Sequence, residues 1–132
     1  MNRETAARAS WLLLRAVAGL LFAQAGSIIL FGWFGGMPGG VTASFPSQIW
    51  FGGVLEVFGG LLMILGLCTR PVAFVLSGEM AVAYFQFHQP KGLFPIQNHG
   101  EPAVLLCFIF LLFAAQGAGP WSLDAAWRRK GA

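Results

Sequence analysis

Three ionisable residues fall inside long apolar stretches: Arg15 in "WLLLRAVAGLLFAQAGSIILF", Glu56 in "GGVLEVFGGLLMILG" and Glu79 in "PVAFVLSGEMAVAYFQF". In an apolar solvent, an ionised group costs several kcal/mol unless something answers its charge. A guanidinium offers a fork of donors that two carboxylates can share, so these types point to a buried cluster with Arg15 between Glu56 and Glu79. One positive charge leaves one carboxylate over, and a retained proton, a substrate or a partner must supply the balance. Proton handling and hydrogen bonding to a ligand are the chemistries open to such a group; the other reading is a polar staple that holds helices together.

A second polar group gathers ahead of the last apolar stretch: His88, Lys91, Gln97, Asn98, His99 and Glu101, with Tyr84 and Gln86 placed to line a path toward Glu79. Glu101 followed by Pro102 suits a helix start, where an acid complements the dipole and Pro fits the first turn. The sharper reading takes His88, His99 and Glu101 as a proton relay or metal site, since imidazole titrates near neutral pH. Two histidines and an acid without a tight motif are a weak metal signature, and no metal is expected. Haem, flavin, nicotinamide and nucleotide motifs are not found, and "GGMPGG" lacks the strand–turn–helix setting of a phosphate loop.

Composition decides the solvent. The 132 residues are 57% hydrophobic and 10% charged, with mean hydropathy +0.70, where soluble domains carry about 25% charged residues. A small domain has the most surface per residue, so this charge is too sparse for water. Lipid is the expected solvent. The net charge of +3 comes from basic residues scattered at segment ends, which argues against nucleic acid as a partner.

Four apolar runs, about Trp11–Phe31, Gln48–Gly66, Pro71–Phe87 and Pro102–Ala118, are each long enough or nearly so to cross a hydrocarbon core of about 30 Å as helices. Continuous runs lack the alternation of barrel strands, so the expected class is all-α, a transmembrane four-helix bundle in one domain spanning 1–132. The first run exceeds a signal-peptide core and holds Arg15 and Gln24, so it reads as a permanent helix starting near Asn2 or Thr5. Arg3, Arg8, Arg15, Arg70, Arg128, Arg129 and Lys130 fall on one side and only Lys91 on the other. The positive-inside bias then puts both termini in the cytoplasm.

The loop "GWFGGMPGGVTASFPS" is uncharged and flanked by Trp33 and Trp50, which reads as an interfacial loop, or as a lid over an entry path. The tail at 120–132 reads as an amphipathic basic surface segment with Ser122 as a cap, its basic residues meeting anionic lipid. Gly52, Gly53, Gly59 and Gly60 share the helix face of Glu56, and Gly19 and Gly26 that of Arg15, so both faces permit close helix packing. Cys68 and Cys107 sit at different depths and read as unpaired packing residues.

Taken in order, "LEVFGGLLMILGLCTRPVA", Glu79 in a short third run, and "NHGEPAVLLCFIFLLFAAQGAGPWSLD" resemble the DoxX family of small four-helix membrane proteins. The resemblance runs from Arg15 to Asp124. It places Arg15, Glu56, Gly59, Gly60, Gly66, Thr69, Arg70, Glu101, Gly117, Gly119, Ser122 and Asp124 at the family's motif positions. It implies the bacterial inner membrane and a subunit of a redox system, either in thiosulfate–quinone oxidoreduction or in complexes handling oxidative and thiol stress. Quinone is then the implied cofactor, membrane or soluble redox proteins the implied partners, and a homodimer is compatible with the glycine faces. The alternative class is a non-catalytic scaffold, or a small-solute or proton-coupled transport protein.

Overall fold

The structure, a computed structural model, describes residues 2–131. Among these the chain forms six α-helices and no strand: α1 Arg3–Phe31, α2 Gln48–Leu65, α3 Thr69–Ala83, α4 Pro95–Asn98, α5 Glu101–Gln116 and α6 Leu123–Lys130. A π-helical turn, Tyr84–His88, continues α3 without a break in direction of the backbone dihedrals. The helix boundaries follow local chemistry. Asn2 caps α1 by accepting the Thr5 amide at 2.8 Å, Ser47 caps α2 by accepting that of Trp50 at 3.1 Å, and Ser122 caps α6 through Ala125 at 3.2 Å. Gly32 and Gly66, both with positive φ, close α1 and α2.

α1 takes in the first apolar run and adds about two turns before it, because the Asn2 cap starts the helix well ahead of Trp11. α1 and α2 are each long and apolar enough to cross a membrane, while α5 is shorter at 16 residues and α3 has 15. α1 packs along α2 and α3 along α5, with α2 against α3 joining the two pairs.

The α1–α2 seam is close because of its glycines. A carbon added at Gly19 would stand 2.6 Å from the Gly60 carbonyl oxygen, and one at Gly26 would stand 2.6 Å from that of Gly53. These are backbone contacts that no side chain can vacate. Gly59 instead makes room for Leu76 of α3, and Gly52 faces Glu79. The packing glycines read from the sequence thus serve two different contacts of α2, one with α1 and one with α3. Between the helix pairs lies a core of Phe22, Met63, Ala73, Leu76, Phe110 and Phe113. Phe22 meets Phe110 edge-on with centroids 4.9 Å apart, and Trp11 lies 4.8 Å from Phe113.

Outward-facing residues are apolar too: Leu13, Leu20, Leu21, Phe58, Phe74 and Phe108 are all more than half exposed. An apolar exterior around an apolar core is the pattern of a chain solvated by lipid. Gly60→Ala is expected to destabilise the purified protein in detergent by about 1–3 kcal/mol through overpacking. Gly78→Ala adds a carbon with nothing within 4 Å and is expected to be neutral or to stabilise by about 0.5–1 kcal/mol. Comparison of thermal melts checks both; equal shifts would contradict the seam's role.

Candidate functional site

Arg15 does not join the two acids. Its side chain is 1% exposed, and its Nε donates to the Met63 carbonyl at 2.9 Å, one Nη to that of Ala118 and the other to that of Trp121 at 3.0 Å. No hydrogen bond or ion pair among the described residues links it to Glu56 or Glu79. The expected three-residue cluster therefore divides. The physical reason lies in the carbonyls. Met63, whose carbonyl also accepts the Gly66 amide at 3.1 Å, is in the last turn of α2, and Ala118 follows the end of α5, so the cation sits where the negative ends of two helix dipoles converge.

Around Arg15 the family-like motifs close into one knot. Gly66, with φ +67°, is held to glycine because an added carbon would stand 2.6 Å from Ser122 Cβ and 2.8 Å from the Arg15 guanidinium carbon. Trp11 donates its indole N–H to the Gly117 carbonyl at 3.1 Å. Asp124 accepts the amides of Cys68 at 2.7 Å and Thr69 at 2.9 Å, at the start of α3, while its own amide donates to Gly66 at 2.9 Å. A carboxylate there caps a helix N-terminus from a distant segment. Burial alone pushes the Asp124 carboxyl up. The hydrogen bonds from Thr69 and Cys68 and the nearby Arg128 cation outweigh it, holding its pKa below the usual carboxylate value.

Glu56 and Glu79 meet elsewhere, at a cavity of about 490 Å³ between α2 and α3. Both acids line it, with Gln48, Leu55, Val75 and Phe87 among its other walls, and Ile29 and Met37 reach it from α1 and the following loop. One oxygen of each carboxylate, Oε2 in both cases, is buried without a hydrogen-bond partner. The sequence suggested an acid pair facing a guanidinium; the fold pairs the acids and gives them a cavity instead.

The outer group divides as well. Asn98, 1% exposed, donates to the Gly92 carbonyl at 2.9 Å and to the Tyr84 hydroxyl at 3.2 Å, and accepts the Gly100 amide at 2.8 Å. His88 stacks on Tyr84 and shares a 3.1 Å hydrogen bond with the Asn98 carbonyl. Asn98 thus fastens the loop, a role its type alone did not signal. His99 and Glu101 are exposed, Glu101 in the first turn of α5 next to Pro102. Gln86 pairs with Gln48 at 2.6 Å, across from α3 to α2. Lys91 and Gln97 lie exposed near the turn at 89–91. Among the described residues no three His, Cys, Asp or Glu side chains gather in a metal-holding group, and Cys68 and Cys107 are both free.

The DoxX family model matches residues 10–89, which carry Arg15, both cavity acids and the Thr69–Arg70 link. The chain belongs to the DoxX family. A protein of Haemophilus influenzae described as uncharacterized is 46% identical over 97 residues, covering 71% of this chain and 72% of its own length. No solved structure matches the chain. The closing Gly117–Asp124 motif lies beyond the matched residues, yet in this DoxX protein it is bound to them through Arg15, Trp11 and the start of α3.

The folded-state pKa of Asp124 lies below its unfolded value, so its contribution is present above the unfolded pKa, about 3.9, and is lost as pH falls through the folded one. Asp124→Asn is expected to lower the melting temperature at neutral pH and to flatten its acid decline. Thermal melts against pH check this, and identical acid profiles for both proteins would contradict the capping role.

Proposed function

We propose that this DoxX protein is a bacterial inner-membrane protein crossing four times with both termini cytoplasmic, and that its α2–α3 cavity receives the head group of a membrane quinol as part of a redox system. Four crossings are supported by the continuation of α3 through the π turn to His88, which gives fifteen α-helical and five π-helical residues, about 30 Å of rise. The orientation is supported by the basic residues, which gather at the Arg15 end of the molecule.

The observation that carries the ligand reading is the pair of unpartnered Oε2 atoms of Glu56 and Glu79 in a cavity whose other walls, Gln48 apart, are apolar. Buried polar atoms are ordinarily hydrogen-bonded, and an orphaned pair beside open space calls for donors from a ligand. The volume of about 490 Å³ falls in the range of small-molecule sites. A quinol carries two hydroxyl donors on an apolar body, so the residues present fit it. Such a group, when bound, would exchange electrons and protons with a redox partner of the same system. Glu56 and Glu79 supply acceptors and take up protons at Oε2, while Leu55, Val75 and Phe87 exclude water and cover the apolar body.

A second reading, a scaffold or a proton-coupled transporter of small solutes, draws on the same two acids without a countercharge. Quinol affinity separates the two. Glu56→Gln or Glu79→Gln replaces one acceptor, and binding of a photoreactive quinol analogue, kept reduced, to the purified protein is expected to weaken about ten- to a hundredfold. Labelling is expected on α2 and α3. Equal labelling in wild type and both variants would overturn the quinol reading.

A further inference from the structure

A second concavity lies at the other end of the molecule, beside the Arg15 knot. It has a volume of about 340 Å³ and is bounded by Thr69, Arg70, Gln116, Asp124, Trp127 and Arg128. We propose that it binds the phosphate of an anionic phospholipid, clamped between Arg70 and Arg128.

Charge carries the first part of the argument. Among the described residues neither guanidinium pairs with a carboxylate. The acid at hand, Asp124, is already committed: Oδ1 accepts from Cys68 and Oδ2 from Thr69. Arg128 keeps its place by donating Nε to the Asp124 carbonyl at 3.3 Å, and its terminal nitrogens make no hydrogen bond among the described residues. Arg70 lies against the end of α5, where a carbon added at Gly117 would stand 3.3 Å from its Nε. Two guanidiniums flank one recess, and each can present two parallel N–H donors to phosphate oxygens. Arg129 and Lys130 follow in the last turn of α6 and add to the local positive potential.

The surroundings select a lipid over free phosphate. Phe74 lies one turn along α3 from Arg70 and is 67% exposed, so an acyl chain descending from the clamp meets an apolar wall. Trp127 lines the recess and is 62% exposed, and Trp favours the depth of the headgroups. A phosphate with an acyl chain uses both features; inorganic phosphate uses only the arginines.

Native mass spectrometry of the full chain in detergent, with phosphatidylglycerol or phosphatidylcholine added, tests the assignment. Phosphatidylglycerol adducts are expected to persist at lower lipid concentration than phosphatidylcholine adducts. Arg70→Gln with Arg128→Gln is expected to weaken phosphatidylglycerol binding roughly ten- to thirtyfold. Arg129→Gln with Lys130→Gln removes the same charge outside the recess, where solvent and salt screen it, and is expected to cost at least about threefold less than the recess pair. Arg128→Gln alone, on the terminal helix, provides the same test should the double variant fold poorly. Equal losses in the two double variants would reduce the effect to net charge and overturn the clamp. Competition by inorganic phosphate at equal concentration would overturn the lipid.

Discussion

A single guanidinium, buried in the apolar interior and hydrogen-bonded to backbone, with the charge of Asp124 nearby, is the constraint on which the fold closes. Arg15 projects from α1 and donates to carbonyls of Met63, Ala118 and Trp121. These belong to the end of α2 and to the segment after α5, so one side chain fixes three parts of the chain that lie far apart in sequence. Helix ends present carbonyls without intrahelical partners, and in lipid there is no water to satisfy them. A cation there meets a need of the backbone at the same time as the backbone meets the need of the cation.

That arrangement leaves the two acids free for other work. Had Arg15 reached Glu56 and Glu79, the bundle would have held one charge cluster. Instead the acids line a cavity of about 490 Å³ toward the opposite end of α2, each with one oxygen unpartnered. The molecule thus separates a polar centre that ties helix ends together from a polar centre that lines a cavity. The glycine seam between α1 and α2 makes this separation workable, because it draws the two helices together without side chains and leaves the α2–α3 side open.

Much of this was legible in the sequence, and the parts that were not share a cause. Apolar runs, the helix starts at Asn2 and Ser122, and glycine faces are local signals, and the helices follow them. The need of Arg15 for a partner could also be read, but its partners are carbonyls, which every residue carries and no residue type advertises. Side-chain charge was the visible alternative, and it pointed to the wrong partner. The same holds for Asp124, whose acceptor role toward the Cys68 and Thr69 amides depends on a chain reversal that spacing does not encode. At the outer loop, His88 and His99 are the residues that chemistry notices first. The fold instead uses Asn98, whose amide can donate and accept at once and so fastens Gly92, Tyr84 and Gly100 together.

The separation of the two polar centres is tested most directly by a double-mutant cycle between Arg15→Met and Glu79→Gln, read as unfolding free energy of the purified protein in detergent. Because the two side chains share no partner, the account predicts that their effects add to within about 0.5 kcal/mol. A coupling of about 1–3 kcal/mol, the range for residues in one network, would place Arg15 and Glu79 in a common charge cluster and contradict it.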